Sequence, residues 1–465
     1  MALVKPSLVS VLEEQRGGKI LLLGREGLFS PQEIARFLKK YDITTTQYLE
    51  EGVVATIENS LLNPVEEAIS NDAYDANIPS YGLEMFEKLL SESMDEDALL
   101  MGIKLSNDQE RIFRLLGNGH ITESLFVKLL MLYSWHDEED DRHDRDVIMY
   151  TLKRYIDIKP NEADLLYSYL TLRRLATEAV NPQLLLALVG FPNFSFLIRG
   201  KEKVTLRETI ARNTHLDEVL LVKLISLRDE KVDIALAGNR SVDITRLQKL
   251  FEKKKIAIFN ALATNHAIDD GLFEALLHED EKTIQLLLLS QPIGLERLGL
   301  ILKASLPEEI VATLGANAFL SAEVIERVIQ TTNEGLLSHL ASNPTLEAKP
   351  LEYIWKQANE VLFPHLALNP SLPVAIIEAL YALDRRPIHI ALAHNKHTPQ
   401  HILRGLFDRD IFEINEGLAS NGSVPLELLD VLKVDTRLQH ALAQNEVFIK
   451  AYETVLDYDK NAVQF

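Results

Sequence analysis

An asparagine returns every 26 residues through the C-terminal half of the chain, and the one gap in that series holds Gln291. The series closes on Asn445 after a shorter step of 24 residues. Its regular members are Asn213, Asn239, Asn265, Asn317, Asn343, Asn369, Asn395 and Asn421. Self-similarity at a fixed period of this length is typical of repeat arrays. The sequence therefore predicts stacked copies of one small unit, and not a single compact enzyme core.

Apolar residues recur at fixed distances from each asparagine. Eleven residues after it, nine successive copies carry leucine, isoleucine or valine, from Leu224 through Leu302 to Leu432. Twenty-three residues after it stands a leucine, from Leu236 to Leu418. These positions have helical spacing, and a polar corner such as residues 384–387 separates them. Each copy is therefore predicted as two short helices that bury their apolar sides only against the neighbouring copies.

The asparagine itself is predicted to have a structural role. It follows the second helix of its copy, as Asn395 follows Leu392 and Ala393. Asparagine tolerates the left-handed conformation that closes many helices, and its side chain satisfies free backbone groups. We expect the asparagines to adopt that conformation and their amides to bond from one copy to the next. A role in binding a ligand is the alternative.

Three segments of the array are ALASNGSVPLELLDVL, HLALNPSLPVAIIEAL and HLASNPTLEAKPLEYI. They resemble the core of leucine-rich repeat variant units, and the resemblance covers residues 207–456. It implies a mostly α fold in which α-helices and short 3-10 helices form a right-handed superhelix. A generic two-helix array of the HEAT type is the alternative. The cysteine cluster of the family's iron–sulfur member is absent here, so the resemblance implies no cofactor.

The N-terminal residues predict a small α/β domain. Glycines bound the apolar run GKILLLG, which is typical of a buried strand, and Ser30 caps an amphipathic helix. The expected elements in chain order are a strand at 18–24, a helix at 31–41, two strands at 43–49 and 52–57, a helix from residue 63, a strand before residue 81, and a helix at 81–90. The segment DAYDANIPSYGLEMFEKLL, with Phe86 in the last helix, resembles a BRCT domain. An unspecified small α/β domain is the alternative.

The BRCT resemblance does not imply the reading of phosphopeptides. Members of that family that bind phosphate use a serine or threonine after the first strand and a basic residue on the second helix. Gly24–Arg25 and Glu66–Glu67 stand in those places here. The resemblance instead favours an accessory factor in DNA repair or replication as an alternative function.

The predicted domains are residues 1–95 for the α/β domain, 96–180 for a helical connecting region and 181–465 for the array. Asn181–Pro182 begins a possible capping copy, and the insertion Arg199–Val204 is predicted as a loop. Residues His136–Asp146 (HDEEDDRHDRD) are predicted as a charged loop. Two histidines among carboxylates could ligate a divalent cation there, and a metal-dependent hydrolase is a remote alternative.

Composition narrows the possible functions. The chain of 465 residues has no cysteine, which excludes disulfides and thiolate chemistry and suits a cytoplasmic location. It has no apolar run long enough for a membrane span, so we expect no membrane partner. Its net charge of −21 disfavours nucleic acid unless a local basic face exists. No phosphate-binding loop or other catalytic motif occurs, so we predict no enzyme, no catalytic residue, no metal ligand and no cofactor.

We predict instead a scaffold or adaptor that binds a protein through the array, since repeat arrays offer extended curved surfaces. An aromatic residue recurs 12 positions after the asparagine, and arginines lie close to it in sequence. Aromatic side chains and arginine dominate interface energetics. The candidate binding residues are Trp355, Tyr381, Phe407, Arg385, Arg386 and Arg404. Packing between copies is the alternative role of the aromatic residues. The histidines of the later copies are predicted to lie on the inner face of the array or at its corners. The partner and the oligomeric state stay open.

Overall fold

The structure is a computed structural model that describes residues 6–24, 27–136, 141–156, 169–198 and 202–452. The chain divides into two compact units, residues 1–232 and 233–465. The fold is mostly α with a small α/β region at the N-terminus, as predicted. The predicted domain boundaries after residues 95 and 180 both fall inside the first unit and stay predictions.

The N-terminal α/β region is built on four parallel strands in the order β2-β1-β3-β4. Its elements in chain order are α1 (Leu8–Glu14), β1 (Lys19–Leu23), α2 (Pro31–Leu38), β2 (Thr44–Thr46), β3 (Val53–Glu58), α3 (Pro64–Asp75), β4 (Ser80–Gly82) and α4 (Leu83–Glu92). The predicted order of strands and helices is confirmed. Helix α1 precedes that order and was not predicted.

Local sequence explains these elements. Strand β1 is apolar throughout its centre, and Ile20 and Leu21 are fully buried, as parallel strands covered on both sides require. Ser30 and Glu33 form a capping box at the start of α2. Asn63 and Glu66 form another at the start of α3. Each box satisfies backbone N–H groups that the first helical turn leaves free, which fixes where the helix begins.

Helices follow the sheet through the rest of the first unit. They are α5 (Glu96–Ser106), α6 (Gln109–Leu116), α7 (Glu123–Leu132), α8 (Arg142–Tyr155), α9 (Tyr169–Glu178), α10 (Pro182–Val189), α11 (Leu206–Ala211), α12 (Glu218–Ser226) and α13 (Glu230–Ala237), the last of which continues past residue 232. The predicted charged loop at residues 136–146 is partly wrong. Asp141 caps α8 and the charged residues after it are helical, because its carboxylate accepts the backbone N–H of Asp144.

The loop predicted at residues 199–204 is wrong for residues 202–204, which are in a strand, and residues 199–201 lie outside the described residues. Strands β5 (Ser195–Ile198) and β6 (Glu202–Thr205) pair antiparallel, with Phe196 opposite Val204. Both of these side chains are buried. Phe196 and Val204 therefore pack against each other across the strand pair, and this contact stabilises the pairing. The charged residues of RGKEKV gave no indication of it.

The second unit is a succession of short helices. They are α14 (Ile244–Phe251), α15 (Ile256–Ala263), α16 (Asp270–Leu276), α17 (Glu281–Ser290), α18 (Leu295–Lys303), α19 (Glu308–Ala312), α20 (Ala322–Val328), α21 (Glu334–Ser342), α22 (Ala348–Lys356), α23 (Phe363–Leu368), α24 (Val374–Ala382), α25 (Arg386–His394), α26 (Gln400–Phe407), α27 (Phe412–Ser420), α28 (Leu426–Leu432) and α29 (Gln439–Leu442). Second helices of successive copies pack on one another, as α23 does on α25 and α25 on α27. The right-handed superhelix stays a prediction.

A buried side-chain amide links each of these copies to the copy before it. The Asn369 side-chain nitrogen donates to the backbone oxygens of Ala341 and Asn343, both at 2.8 Å. Its side-chain oxygen accepts the backbone N–H of Ser371 at 2.8 Å. The donated pair, with acceptors 28 and 26 residues earlier, recurs at Asn265, Gln291, Asn343, Asn395 and Asn421. We call this series the amide ladder.

The expected left-handed conformation of the asparagines is wrong. Asn343, Asn369 and Asn395 have φ of −68°, −74° and −76° and an extended backbone. The left-handed residues lie instead at the corner between the two helices of a copy, as Asp384 and Asp410 do with φ of 52° and 49°. The asparagine needs an extended backbone because its side chain must reach back to the preceding copy and also accept the N–H two residues on.

Replacing Asn369 with alanine tests the amide ladder. The change leaves the buried Ala341 carbonyl without its side-chain donor and removes one of the two donors of the Asn343 carbonyl, which keeps the Leu346 N–H, so we expect a loss of about 2–4 kcal/mol in the free energy of unfolding. Urea denaturation followed by far-UV circular dichroism measures it.

The matched control is Asn359→Ala. Asn359 is also an asparagine of the array, but both bonds of its side chain are exposed: it accepts the Val361 N–H at 3.1 Å and donates to Glu334 at 3.3 Å. We expect this control to lose about 1 kcal/mol, as for an ordinary helix cap. Equal losses in the two variants would contradict a special role for the buried amide.

Candidate functional site

The array departs from its own pattern in the copy that follows Gln291. In the other copies the apolar residue 11 positions after the asparagine is buried, as Leu380 is. Here Leu298 and Ile301 are buried, seven and ten positions after Gln291, and Leu302 is 63% exposed. One residue turns a helix by about 100°, so a shift of one position carries Leu302 out of the core. The prediction that Leu302 is a core residue is therefore wrong.

The same copy lacks the ring pair that fills the corner between the two helices in three other copies. Ring centroids lie 4.8–5.2 Å apart in the pairs Phe251–Phe259, Trp355–Phe363 and Tyr381–His389. Lys303 and Val311 stand at the corresponding positions after Gln291. An aliphatic side chain and a lysine fill less apolar volume than two rings, so space remains beside α18 and α19.

That space is a groove of about 750 Å³ between α18, α19, α20 and α21. Its size lies within the range of about 300–1,000 Å³ that is usual for ligand pockets in proteins. We call it the α18 groove and define it by the apolar residues Leu298, Ile301, Leu302, Leu306, Val311 and Val328 and the charged residues Glu308, Arg327 and Glu334. Thr331, Thr332 and Asn333 also line it, so the lining is mixed, and its apolar part around exposed Leu302 is suited to hold apolar side chains of another molecule.

The predicted aromatic residues lie elsewhere. Trp355, Tyr381 and Phe407 are each half-buried, and none of them lines the α18 groove. The Trp355 and Tyr381 rings stack on Phe363 and His389 of their own copies. These contacts fit the alternative interpretation, packing at the corner, although each ring keeps an accessible part.

The predicted arginines are exposed but already bonded. Each donates to a carboxylate of an adjacent copy, in the pairs Arg385–Glu360 at 2.7 Å, Arg386–Glu413 at 2.6 Å and Arg404–Glu427 at 3.5 Å. Exposed pairs of this kind contribute little stability, typically about 0–1 kcal/mol. They do neutralise most of the positive charge that this stretch of the array would otherwise present to a phosphate backbone.

Two histidines of the later copies are packed in the helices. His389 is buried, its ring contacts Tyr381, and its Nε2 lies 3.2 Å from the Tyr381 backbone oxygen. His365 is half-buried, with Nδ1 3.2 Å from the Ser342 hydroxyl. Burial lowers the pKa of both imidazoles below its ordinary value, and the positive field of His339 lowers that of His365 further. Both rings therefore favour the neutral form.

One acidic cluster in the first unit has the spacing of metal ligands. His136, Asp141 and Asp144 each offer a ligand atom within 4.8 Å of the others. Hydrogen bonds account for this arrangement. Buried Asp144 accepts the Tyr133 hydroxyl at 2.8 Å and both the backbone N–H and Nδ1 of His136 at 3.0 Å. The cluster therefore ties the start of α8 to the end of α7, and residues 137–140 lie outside the described residues.

The end of β1 holds a carboxylate of the chain itself. The backbone N–H of Gly24 donates to Glu66 Oε1 at 3.2 Å, and that of Asn63 donates to Glu66 Oε2 at 2.8 Å. A phosphate at this place would have to displace Glu66 and overcome its negative charge. This geometry agrees with the expectation that the α/β domain does not read phosphate here, while Arg25 lies outside the described residues.

Among the described residues, no helix combines the length and the apolar character that a membrane crossing requires. Comparison with protein-family models, with curated proteins and with solved structures finds no match to this chain. The function must therefore be argued from the geometry above.

The sequence contained partial signals of the α18 groove. Gln291 replaces asparagine, Gly294 replaces the apolar residue three positions later, and Lys303 stands where four other copies have an aromatic residue. Each signal marks a copy that departs from the pattern. None of them reveals the one-position shift of α18, because apolar residues at 298, 301 and 302 fit either register equally well.

Stability should fall as the pH drops from 7 to 5. The pKa of His365 and His389 is lowered in the folded chain, so below pH of about 6.5 the unfolded chain binds protons that the folded chain excludes. The double variant His365→Gln, His389→Gln should show a smaller pH dependence of the free energy of unfolding, measured by urea denaturation at each pH. Exposed His401→Gln is the control, and an unchanged slope in the double variant would refute this origin.

Proposed function

We propose that the protein is a cytoplasmic, non-enzymatic adaptor that holds a partner protein in the α18 groove. The observation that carries the proposal is an exposed leucine, Leu302, on a partly apolar groove of about 750 Å³ in the helical second unit. Large exposed apolar grooves usually mark binding surfaces, because they are unfavourable in water. The absence of cysteine and of recognised catalytic motifs supports the location and the lack of enzymatic activity.

The shape of the groove favours an amphipathic helix as the occupant. Apolar residues line part of a groove between helices, the setting in which helices with apolar residues at i, i+3, i+4 and i+7 bind. Two carboxylates, Glu308 and Glu334, and one guanidinium, Arg327, are its charged lining groups. The chain as a whole carries a net charge of −21. Charge complementarity therefore favours a helix whose polar side is basic.

A nucleic-acid partner is the less favoured alternative. The candidate arginines of the array are engaged with carboxylates, and the lining of the α18 groove has a net negative charge. A role in DNA repair or replication would rest on the BRCT resemblance of residues 17–93. The resemblance to leucine-rich repeat variant units supports an array that binds macromolecules, and both resemblances stay proposals.

A designed peptide tests the proposal on the full chain. An 18-residue leucine–lysine helix should bind at near-physiological salt more tightly than its leucine–glutamate counterpart, as measured by isothermal titration calorimetry. Leu302→Arg should weaken the binding of the basic peptide by about tenfold or more, because it places bulk and positive charge in the groove.

Leu295→Arg is the matched control. Leu295 is also an exposed leucine of α18 and does not line the groove, so the variant makes the same change of charge outside it. We expect it to change the dissociation constant by less than about threefold, since it affects only screened charge. Equal weakening by the two variants, or equal binding of the two peptides, would refute the groove as the binding site.

A further inference from the structure

A second cavity lies in the first unit. It has a volume of about 450 Å³ and lies where α2 and the end of α4 face α5 and α6. Its floor is apolar and includes Phe29, Phe37, Leu90 and Leu99, which are all buried. Polar and charged side chains stand on its walls. Apolar pockets with a few convergent polar groups are the usual form of small-molecule sites.

A glycine opens this cavity further. Gly102 lies inside α5 and lines the cavity, and a Cβ atom placed there would meet nothing within 4 Å. Glycine weakens a helix interior by roughly 0.5–1 kcal/mol relative to alanine. Crowding by neighbouring atoms therefore does not explain why a glycine stands at this position. The glycine does keep space free above the apolar floor, which is what a bound molecule needs.

The cations on the walls are less neutralised than the carboxylates. Glu33 accepts from Ser30 and pairs with Arg111, and Asp95 caps α5. Both negative groups are therefore engaged. Arg111 nevertheless keeps a buried Nε without a hydrogen-bond partner, although such a group normally has one.

Two further cations stand on the α2 side of the cavity. Arg36 is exposed and has no hydrogen bond or ion pair within the described part of the chain. Lys40 donates to the Ser93 backbone oxygen at 3.4 Å, and its ammonium lies 6.0 Å from the centre of the Phe37 ring. The lining carries three cations, Arg36, Lys40 and Arg111, against two carboxylates. In a chain of net charge −21, this is a local excess of positive charge.

The geometry points to a binding site for a small amphiphilic anion in this cavity. The aromatic or aliphatic body of the ligand packs on the floor formed by Phe29, Phe37 and Leu99, in the space that Gly102 leaves. Its carboxylate or similar group faces Arg36 and Lys40. Binding of this kind gains from apolar burial and from charge-assisted hydrogen bonds in a partly enclosed site. The site is independent of the α18 groove, so the α/β region would add ligand recognition to the adaptor role.

The probe for this site is 2-naphthoate, with neutral 2-naphthalenemethanol as its uncharged analogue. Titration calorimetry on the full chain should show saturable binding of naphthoate and at least about tenfold weaker binding of the alcohol, the difference that a charge-assisted hydrogen bond confers. Arg36→Gln should weaken naphthoate binding by about the same factor and leave the binding of the alcohol unchanged.

Gly102→Leu should abolish binding by filling the cavity while the helix forms readily, since leucine is a better helix former than glycine. Gly299→Leu is the matched control, because Gly299 is also inside a helix and a Cβ there meets nothing within 4 Å. Thermal unfolding verifies that both variants fold. The proposal fails if naphthoate does not bind, if the alcohol binds equally well, or if Gly102→Leu binds like the Gly299→Leu control.

Discussion

The array depends on one hydrogen-bonded contact: a buried amide that donates to two backbone oxygens of the preceding copy. At Asn369 both bonds are 2.8 Å long, and their acceptors are the buried backbone oxygens of Ala341 and Asn343. Apolar packing supplies most of the driving force but tolerates sliding, because leucine against leucine is not directional. The amide has fixed geometry, and a missed bond leaves two polar groups unsatisfied. It therefore fixes the register in which the apolar surfaces meet.

The α18 groove shows what happens where that contact changes. Gln291 keeps both donated bonds with a side chain one methylene longer, so the ladder continues through this copy. The turn after it differs, since Ile293 forms a backbone bridge to Leu320. Helix α18 is then shifted by one position and Leu302 faces outward. A fixed period read from the sequence predicts the ladder correctly but places Leu302 in the core, because such a reading assumes that every helix begins at the same distance from the amide.

Sequence reasoning succeeded where the determinants are local. The capping boxes at Ser30 and Asn63 and the apolar run of β1 predict the elements of the α/β region. It failed where contacts join distant residues. The pairing of Phe196 with Val204 makes a hairpin from a charged insertion. The cavity beside Gly102 is lined in part by Glu33 and Arg111, which are 78 residues apart in sequence and form an ion pair. No spacing rule anticipates a space enclosed by four helices, and only the helix-breaking glycine hinted at it.

The amide ladder also has a direction. Every donated bond runs from a later copy to an earlier one, as from Asn421 to Ala393 and Asn395. When a new copy leaves the ribosome, the backbone oxygens that accept its amide bonds have already been synthesised. These bonds therefore need no residue that is still to be translated. Chains fold from the N-terminus as they are synthesised. The array can consequently grow at the pace of translation, with at most one copy's apolar surface exposed to the cell at any moment.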